Sequence, residues 1–422
     1  MAEPAAPQAT AATLLCHPRL WLVPAVLTGL LALLLSLLYM GGIVNPNQEL
    51  HDLPIALVND DTGKPPAGQR ENLGAQVTAA IAADTGGGKA GWRALTRARA
   101  QEQLDSGKVY GALVVPAGFT DAVTALTTSG AARQPAITVL TNPGKGSLGS
   151  SLAGQITTKA AHQASLTIGK QLTAAAGAQA SPTVKVLLAD PVNVITQVGH
   201  PIGTSSGLGL TAFYYTLLLV LAGFMGGNVI SNGVDTALGY ADNEIGPWHT
   251  RRPTVPINRT QTLLLKMVMT AGIMLVSASL VLLACVTFLG MDASHLPLLW
   301  IYSYCAALAV GLGVQAINAA FGGIGQLVSM FVFIVLGLPS SGATVPLQAV
   351  PGFYRFLSHF EPMRQLSDGV RAILYFDARG DAGLTRSWVM IVLGAVLALL
   401  FGFAMTAYYD RKGHKRLTPQ PA

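Results

Sequence analysis

Apolar residues fall along this chain in two rhythms. Six long, nearly unbroken runs, Leu20–Met40, Leu208–Ile230, Thr262–Leu289, Leu296–Asn318, Phe321–Leu338 and Trp388–Tyr408, carry few charges. About 20 apolar residues in a helix cross the ~30 Å hydrocarbon core of a bilayer, so each run predicts a transmembrane helix. Residues 41–207, between the first and second runs, are patterned differently. Short apolar groups alternate there with helical periods: strand Leu53–Asn59, turn Asp60–Gly63, helix Asn72–Ala83, strand Trp92–Thr96, helix Arg97–Ser106 and strand Val109–Val115. Helix Phe119–Thr127, strand Ala136–Leu140, helix Ser147–Ala176 with a break expected near Gly169, and strand Pro191–Val198 follow. Strands alternating with helices predict βαβ units. The expected fold is an α-helical integral membrane protein with six transmembrane helices, one plus five, and an extracytoplasmic α/β domain between the first and second.

The first run is longer than a signal-peptide core and Tyr39–Ile43 makes a poor cleavage site, so an uncleaved anchor is expected. The fifth run is short: 18 residues at ~1.5 Å each reach about 27 Å. It stops at Pro339-Ser340-Ser341-Gly342, where a helix does not readily continue.

Composition agrees with membrane spans. Of 422 residues, 51% are hydrophobic and 11% charged, against about 25% charged in soluble domains. Twelve of the 26 Lys+Arg and 10 of the 20 Asp+Glu lie within residues 49–190, so the rest of the chain is more apolar than the average. The net charge of +6 follows topology rather than nucleic-acid binding, because Lys and Arg collect on cytoplasmic flanks. Arg411, Lys412, Lys415 and Arg416 follow the last span, and Arg251, Arg252 and Arg259 lie between the second and third, with Lys266 placed to snorkel. The turn Gly290–His295 on the opposite face has neither Lys nor Arg. Both termini, residues 1–19 and 409–422, are therefore expected in the cytoplasm, with 41–207 and the loop 339–387 outside the plasma membrane.

Candidate chemistry narrows the function. None of the Gly-Lys pairs is followed by Ser or Thr, so no phosphate-cradling ATP loop is present and ATP use belongs to another polypeptide. Gly203-Thr204-Ser205-Ser206-Gly207 fits G-x-S-x-G, but a membrane span follows it and His359 precedes Asp368 and Asp377, against the hydrolase order; a flexible hinge is expected. The eight histidines are scattered and no metal site is expected; Asp60-Asp61 reads as turn chemistry. Cys16, Cys285 and Cys305 form no framework. The span interiors hold no ionisable residue, which disfavours an ion-driven carrier. They do hold neutral polar groups: Asn228, Asn232, Gln315, Asn318 and Gln326. These fit interhelical hydrogen bonds or a polar lining at the inner mouth. The loop 231–261 carries Asp242, Glu244, Ile245, Trp248, Arg251 and Arg252, charges beside apolar anchors, as a docking element for a cytoplasmic partner requires.

Two segments resemble a known group. Leu53–Gly63 (LPIALVNDDTG) is followed by Gly107–Thr120 (GKVYGALVVPAGFT); after the fifth span come Ser340–Pro346 (SSGATVP), Val350–Phe353 (VPGF), Pro362 and Gly369-Val370-Arg371. With the one-plus-five layout, the chain resembles the YhgE/Pip (phage infection protein) group of type-2 ABC transporter permeases. The resemblance implies a dimer, homodimeric or of paralogues, in the lipid bilayer, with ATP held by separate cytoplasmic ATPase subunits and no cofactor in this chain. It implies that Asp242, Glu244, Trp248, Arg251 and Arg252 couple to that ATPase. It further implies outer re-entrant helices near Pro346–Leu357 and Glu361–Tyr375, marked by Ser341, Gly342, Pro346, Pro351, Phe353, Pro362 and Arg371. Members tied to phage adsorption or secretion often have much larger outside domains than the one expected here. The expected function is a non-enzymatic permease subunit of an ABC-type exporter. The alternative is a scaffold or receptor whose outside domain binds a secretion machine, phage or cell-wall component.

Overall fold

The computed structural model describes residues 18–66, 68–128, 134–176, 188–414 and 416. Most of the expected N-terminal segment, together with Lys185, Lys415 and residues 417–422 of the basic tail, lies outside the described residues.

The stretch after α1 (Pro18–Gly41) forms a five-stranded sheet with helices on both faces. Its elements are β1 (Leu53–Asn59), α2 (Leu73–Ala83), β2 (Ala90–Ala94), α3 (Arg97–Asp105), β3 (Gly111–Val115), α4 (Phe119–Thr128), β4 (Ala136–Thr141), α5 (Ser147–Ala176) and β5 (Asn193–Val198). The order is β2-β1-β3-β4-β5. The most uniformly apolar strands, β1 and β3, lie inside the sheet and are almost wholly buried, because both of their faces are covered. Leu57, Leu113 and Ile137 pack under α2, α4 and α5, while Ala56, Val58 and Val114 pack under α3. Side-chain oxygens of Asn72 and Thr96 accept from Ala75 N and Arg99 N and so start α2 and α3.

Three details differ from the pattern-based expectation. Strand β4 runs antiparallel to β3, so the sheet is mixed. Strand β2 begins at Ala90, two residues before Trp92, because its register to β1 pairs Leu53 with Ala90. Helix α5 passes through Gly169 without a break. Glycine is needed there for closeness: a Cβ would lie 2.1 Å from the Ala189 carbonyl oxygen. The Asp61 carboxylate is buried in the first turn and accepts from Gly63 N, Gly74 N, Thr120 N and Thr120 Oγ1. It ties β1, α2 and α4 together.

The remaining chain is helical: α6 (Thr211–Ala237), a hairpin of β6 (Asn243–Ile245) and β7 (Trp248–Thr250), α7 (Arg259–Leu282, extended by a π turn to Phe288), α8 (Leu296–Phe321), α9 (Gly325–Met330, extended to Ser340), α10 (Gly352–Leu357), α11 (Pro362–Tyr375) and α12 (Leu384–Arg411). Among the described residues, four helical stretches are long and apolar enough to cross a membrane: Thr211–Ala237, Arg259–Phe288, Leu296–Ser340 and Leu384–Arg411. The third contains a reversal. Gly322 takes φ +61° after α8, and the close approach of Gly313 to the Phe333 ring shows α9 folded back along α8. Glycines set the separation of α6 and α8, since a Cβ on Gly223 would lie 2.7 Å from Ala307 O and Val310 Cβ.

Helix α11 joins the two layers. Tyr302 of α8 donates to Leu366 O at 2.9 Å, and the Tyr375 hydroxyl accepts from Ala212 N at 3.0 Å. Phe376 fills a slot walled by Gly107 and Gly144, and His200 stacks on it while bridging Asp105 and Tyr375 O. The G-x-S-x-G stretch is a largely exposed turn with defined contacts. Gly203 has no room for a Cβ beside Asp292, the Asp292 carboxylate accepts from Ser205 N, and Gly207, Leu208 and Gly209 all have positive φ.

Candidate functional site at the sheet-distal ends of the helices

Helix α6 runs seven residues beyond Ile230, because Ile230 and Val234 continue its buried stripe at i, i+4 spacing. That extension brings Ser231 and Asp235 opposite Lys266 of α7. Lys266 is buried and turned inward, donating to Ser231 Oγ and Asp235 at 2.9 Å, so it does not snorkel. Arg416 reaches the same carboxylate at 2.7 Å and stacks over the Tyr240 ring. One carboxylate thus faces two cations at the helix ends. A buried ion pair of this kind persists only when several partners compensate the lost hydration.

Beside it lies a pocket of about 290 Å³, lined by Asn228, Asn232, Gln315, Asn318 and Gln326 together with Asp235, Lys266 and Arg416. The five neutral polar residues singled out in the sequence meet at this one place. They differ in surroundings. Gln315 Nε2 donates to Gly227 O at 2.8 Å and Asn318 Nδ2 to Asn228 Oδ1 at 2.9 Å, bonding α8 to α6. Asn232 and Gln326 are exposed at the mouth. The buried Gln315 Oε1, Asn318 Oδ1 and Arg416 Nη1 have no hydrogen-bond partner, so unspent acceptors and a donor flank the cavity. Asp410 of α12 caps the start of α7 by accepting from Arg259 N, Thr260 N and Thr260 Oγ1, and so fixes the Arg259 end of the pocket.

The connection from α6 to α7 is shorter than the expected 231–261 loop and is organised as the β6–β7 hairpin. Asp242 pairs with Arg251 at 3.4 Å and with His249 at 3.8 Å. Glu244 and Arg252 are exposed, and Trp248 is 73% exposed. The third group of sequence candidates lies at the opposite end of the helices. Ser341 is buried and caps its own turn, Gly342 takes φ +66° against Leu347, and Pro346 precedes a turn at Leu347–Ala349. Pro351 and Pro362 open α10 and α11, Phe353 is exposed, and Arg371 donates to Gly342 O and Ala343 O. The structure therefore gathers the polar-lining set and separates it from the outer motif by the length of the helices.

Sequence reasoning missed Asp235, Lys266 and Arg416 as a cluster. The available signal was the helical spacing of Ser231 and Asp235, hidden when the span was ended at Ile230. The ionisable pair also removes the charge-free span as a ground for excluding an ion-driven carrier.

A model of the family "Protein of unknown function (DUF3533)" matches residues 24–394. The chain belongs to the DUF3533 family. Among curated proteins, the Uncharacterized protein YhgE of Bacillus subtilis (strain 168) is 24% identical over 112 residues, 26% of this chain and 14% of that protein. The match thus spans about a seventh of that relative's length. No solved structure matches the chain. Within this DUF3533 protein the family match begins in α1 and ends in α12, so it takes in the sheet, most of the helices and the part of the polar pocket built from α6, α7 and α8, but not Arg416.

Proposed function

We propose that this membrane protein is the permease subunit of an ABC-type exporter, with six transmembrane helices, cytoplasmic termini and a dimeric arrangement in the plasma membrane. A separate ATPase supplies the energy, and the cargo is an amphiphile or polymer. The observation that carries the reading is the β6–β7 hairpin. It presents exposed Trp248 and the Asp242–Arg251 pair at the same end as the polar pocket, and its flanking helices are the two joined by Asp235 and Lys266. A partner that moves the hairpin would pull on α6 and α7 at that ion pair. The resemblance to the YhgE/Pip group supports the same assignment.

The test is purification of the full chain from its native membranes, followed by an ATP-hydrolysis assay on the co-purifying material. An ATPase subunit should be retained by the natural protein and lost from the Trp248→Ala/Arg251→Glu variant, with the variant's thermal stability unchanged. Absence of any ATPase, with the variant behaving as the natural protein does, overturns the exporter reading. That outcome favours a scaffold or receptor, for which the exposed edge strand β5, with Val198 55% exposed, is the feature in hand.

A further inference from the structure

At the other end of the helices, a second cavity of about 220 Å³ lies between the loops of the sheet domain and α11. Its polar wall is strongly one-sided. Arg93, Lys108, Lys145, Arg364 and Arg371 line it, against the single carboxylate Asp368. Lys108 is matched by Asp381 at 2.7 Å and Arg364 by Asp368 at 3.8 Å. Among the described residues, Arg93, Lys145 and Arg371 have no carboxylate within ion-pair distance. Arg93 donates to Gln103 Oε1 and Lys108 O. Lys145 lies 5.1 Å from the centre of the Tyr110 ring. Arg371 is 4% exposed; its two terminal nitrogens hold Gly342 O and Ala343 O, and its buried Nε has no partner.

Lys145, half-buried, and Arg371, buried with one guanidinium nitrogen unspent, face one cavity without an ion-pair partner, a costly arrangement unless an anion completes it, while Arg93 stands exposed at the rim. Arginine forks and lysine ammonium groups are the recognition set for phosphate oxygens. The volume is below the ~300–1,000 Å³ of pockets that enclose a drug-sized molecule, so it fits a headgroup rather than a whole amphiphile. We infer that this cavity is a binding site for a phosphate group, carried by an anionic amphiphile of the membrane. The setting supports a lipid source. Ser341 and Gly342, at the end of the fifth apolar run, form part of the wall, and the adjoining α10 segment exposes Phe353, Phe356 and Phe360. Burial and the neighbouring guanidinium groups of Arg371 and Arg364 together push the Lys145 ammonium down to about 8, with Asp368 opposing; an incoming anion would restore its full charge. The site does not depend on export or on an ATPase.

The test uses the full chain in a neutral detergent, with thermal unfolding followed during titration by three probes: dihexanoyl phosphatidate, dihexanoyl phosphatidylcholine and inorganic phosphate, at constant ionic strength set with chloride. Phosphatidate should raise the unfolding temperature saturably, and phosphatidylcholine much less. Arg93→Gln and Lys145→Met should each raise the half-saturating concentration about tenfold. These two variants leave the Arg371 bonds to Gly342 and Ala343 intact, so they remain informative if Arg371→Gln fails to fold. The exposed Lys159→Met variant is the control and should bind as the natural protein does. Equal saturable binding of inorganic phosphate supports the phosphate site but assigns it to a small ion rather than a lipid. No saturable response to either anion, or unchanged affinity in both Arg93→Gln and Lys145→Met, overturns the inference.

Discussion

Replacing Asp235 with Asn keeps its size and removes the one carboxylate that faces Lys266 and Arg416. In the natural protein Lys266 is 2.9 Å from that carboxylate and Arg416 is 2.7 Å from it. The side-chain exposures are 9% for Lys266, 22% for Asp235 and 18% for Arg416, so water screens the cluster only in part. Removing one partner of a buried pair typically costs about 3–5 kcal/mol, because the other charge is left without compensation. The partial exposure places the expectation at the lower end, about 3 kcal/mol. Lys266→Met should cost less, since Arg416 still satisfies Asp235. The double variant Asp235→Asn/Lys266→Met removes the charge most deeply buried and should be more stable than Asp235→Asn alone. Thermal unfolding of the three variants in one detergent gives the coupling between the two positions. If Asp235→Asn unfolds within about 0.5 kcal/mol of the natural protein, the surface-like value for exposed pairs applies and the cluster is not the joint described here.

Two further outcomes are expected. Gly223→Val drives a side chain into Ala307 O and Val310, both 2.7 Å from the Cβ position, and should destabilise the α6–α8 contact by about 1–3 kcal/mol in chemical or thermal unfolding; an unchanged midpoint would refute the close packing. Because the Lys145 ammonium is pushed down to about 8 in the folded chain, the unfolded chain binds more protons between there and the ordinary lysine value. The folded chain therefore carries the cost of the buried ammonium below pH 8, and Lys145 makes stability rise as pH increases from about 8 to 10.5. That increment should be absent from Lys145→Met when the two unfolding curves are compared across the same range.

Much of this architecture was legible in the pattern of apolar positions. The near-continuous runs of β1 and β3 mark buried strands, and the helical periods place both ends of α2 and α3 to within one residue. Strand direction was less accessible. The antiparallel step from β3 to β4 is fixed by pairing between residues far apart, such as Ala112 with Leu140, and no local period encodes it. The neutral polar residues were readable because they interrupt apolar helices. Their meeting with Asp235, Lys266 and Arg416 was not, since it needs three segments brought together and a helix end two turns later than hydropathy placed it. Gly169 failed for the opposite reason: its local signal says break, whereas its role is set by a neighbour at Ala189.

Helix α1 has a consequence for the order in which the molecule is assembled. Trp21, Leu22, Val26, Leu30, Leu33 and Leu37 are all exposed along it. Its last turns, by contrast, reach Tyr354, which donates to Leu38 O, and Gly42 rests on Pro339. Helix α1 precedes the sheet in the chain, and its exposed apolar side chains do not depend on the later helices for their placement. After it comes β1, the interior strand on which both β2 and β3 pair, so that strand is in place while the rest of the sheet is still being made. Strand β5, the edge opposite β2, arrives last and is followed directly by the turn into α6. Synthesis therefore runs from α1 to the strand β1 that both β2 and β3 need, and ends the sheet at β5, whose completion delivers the start of α6.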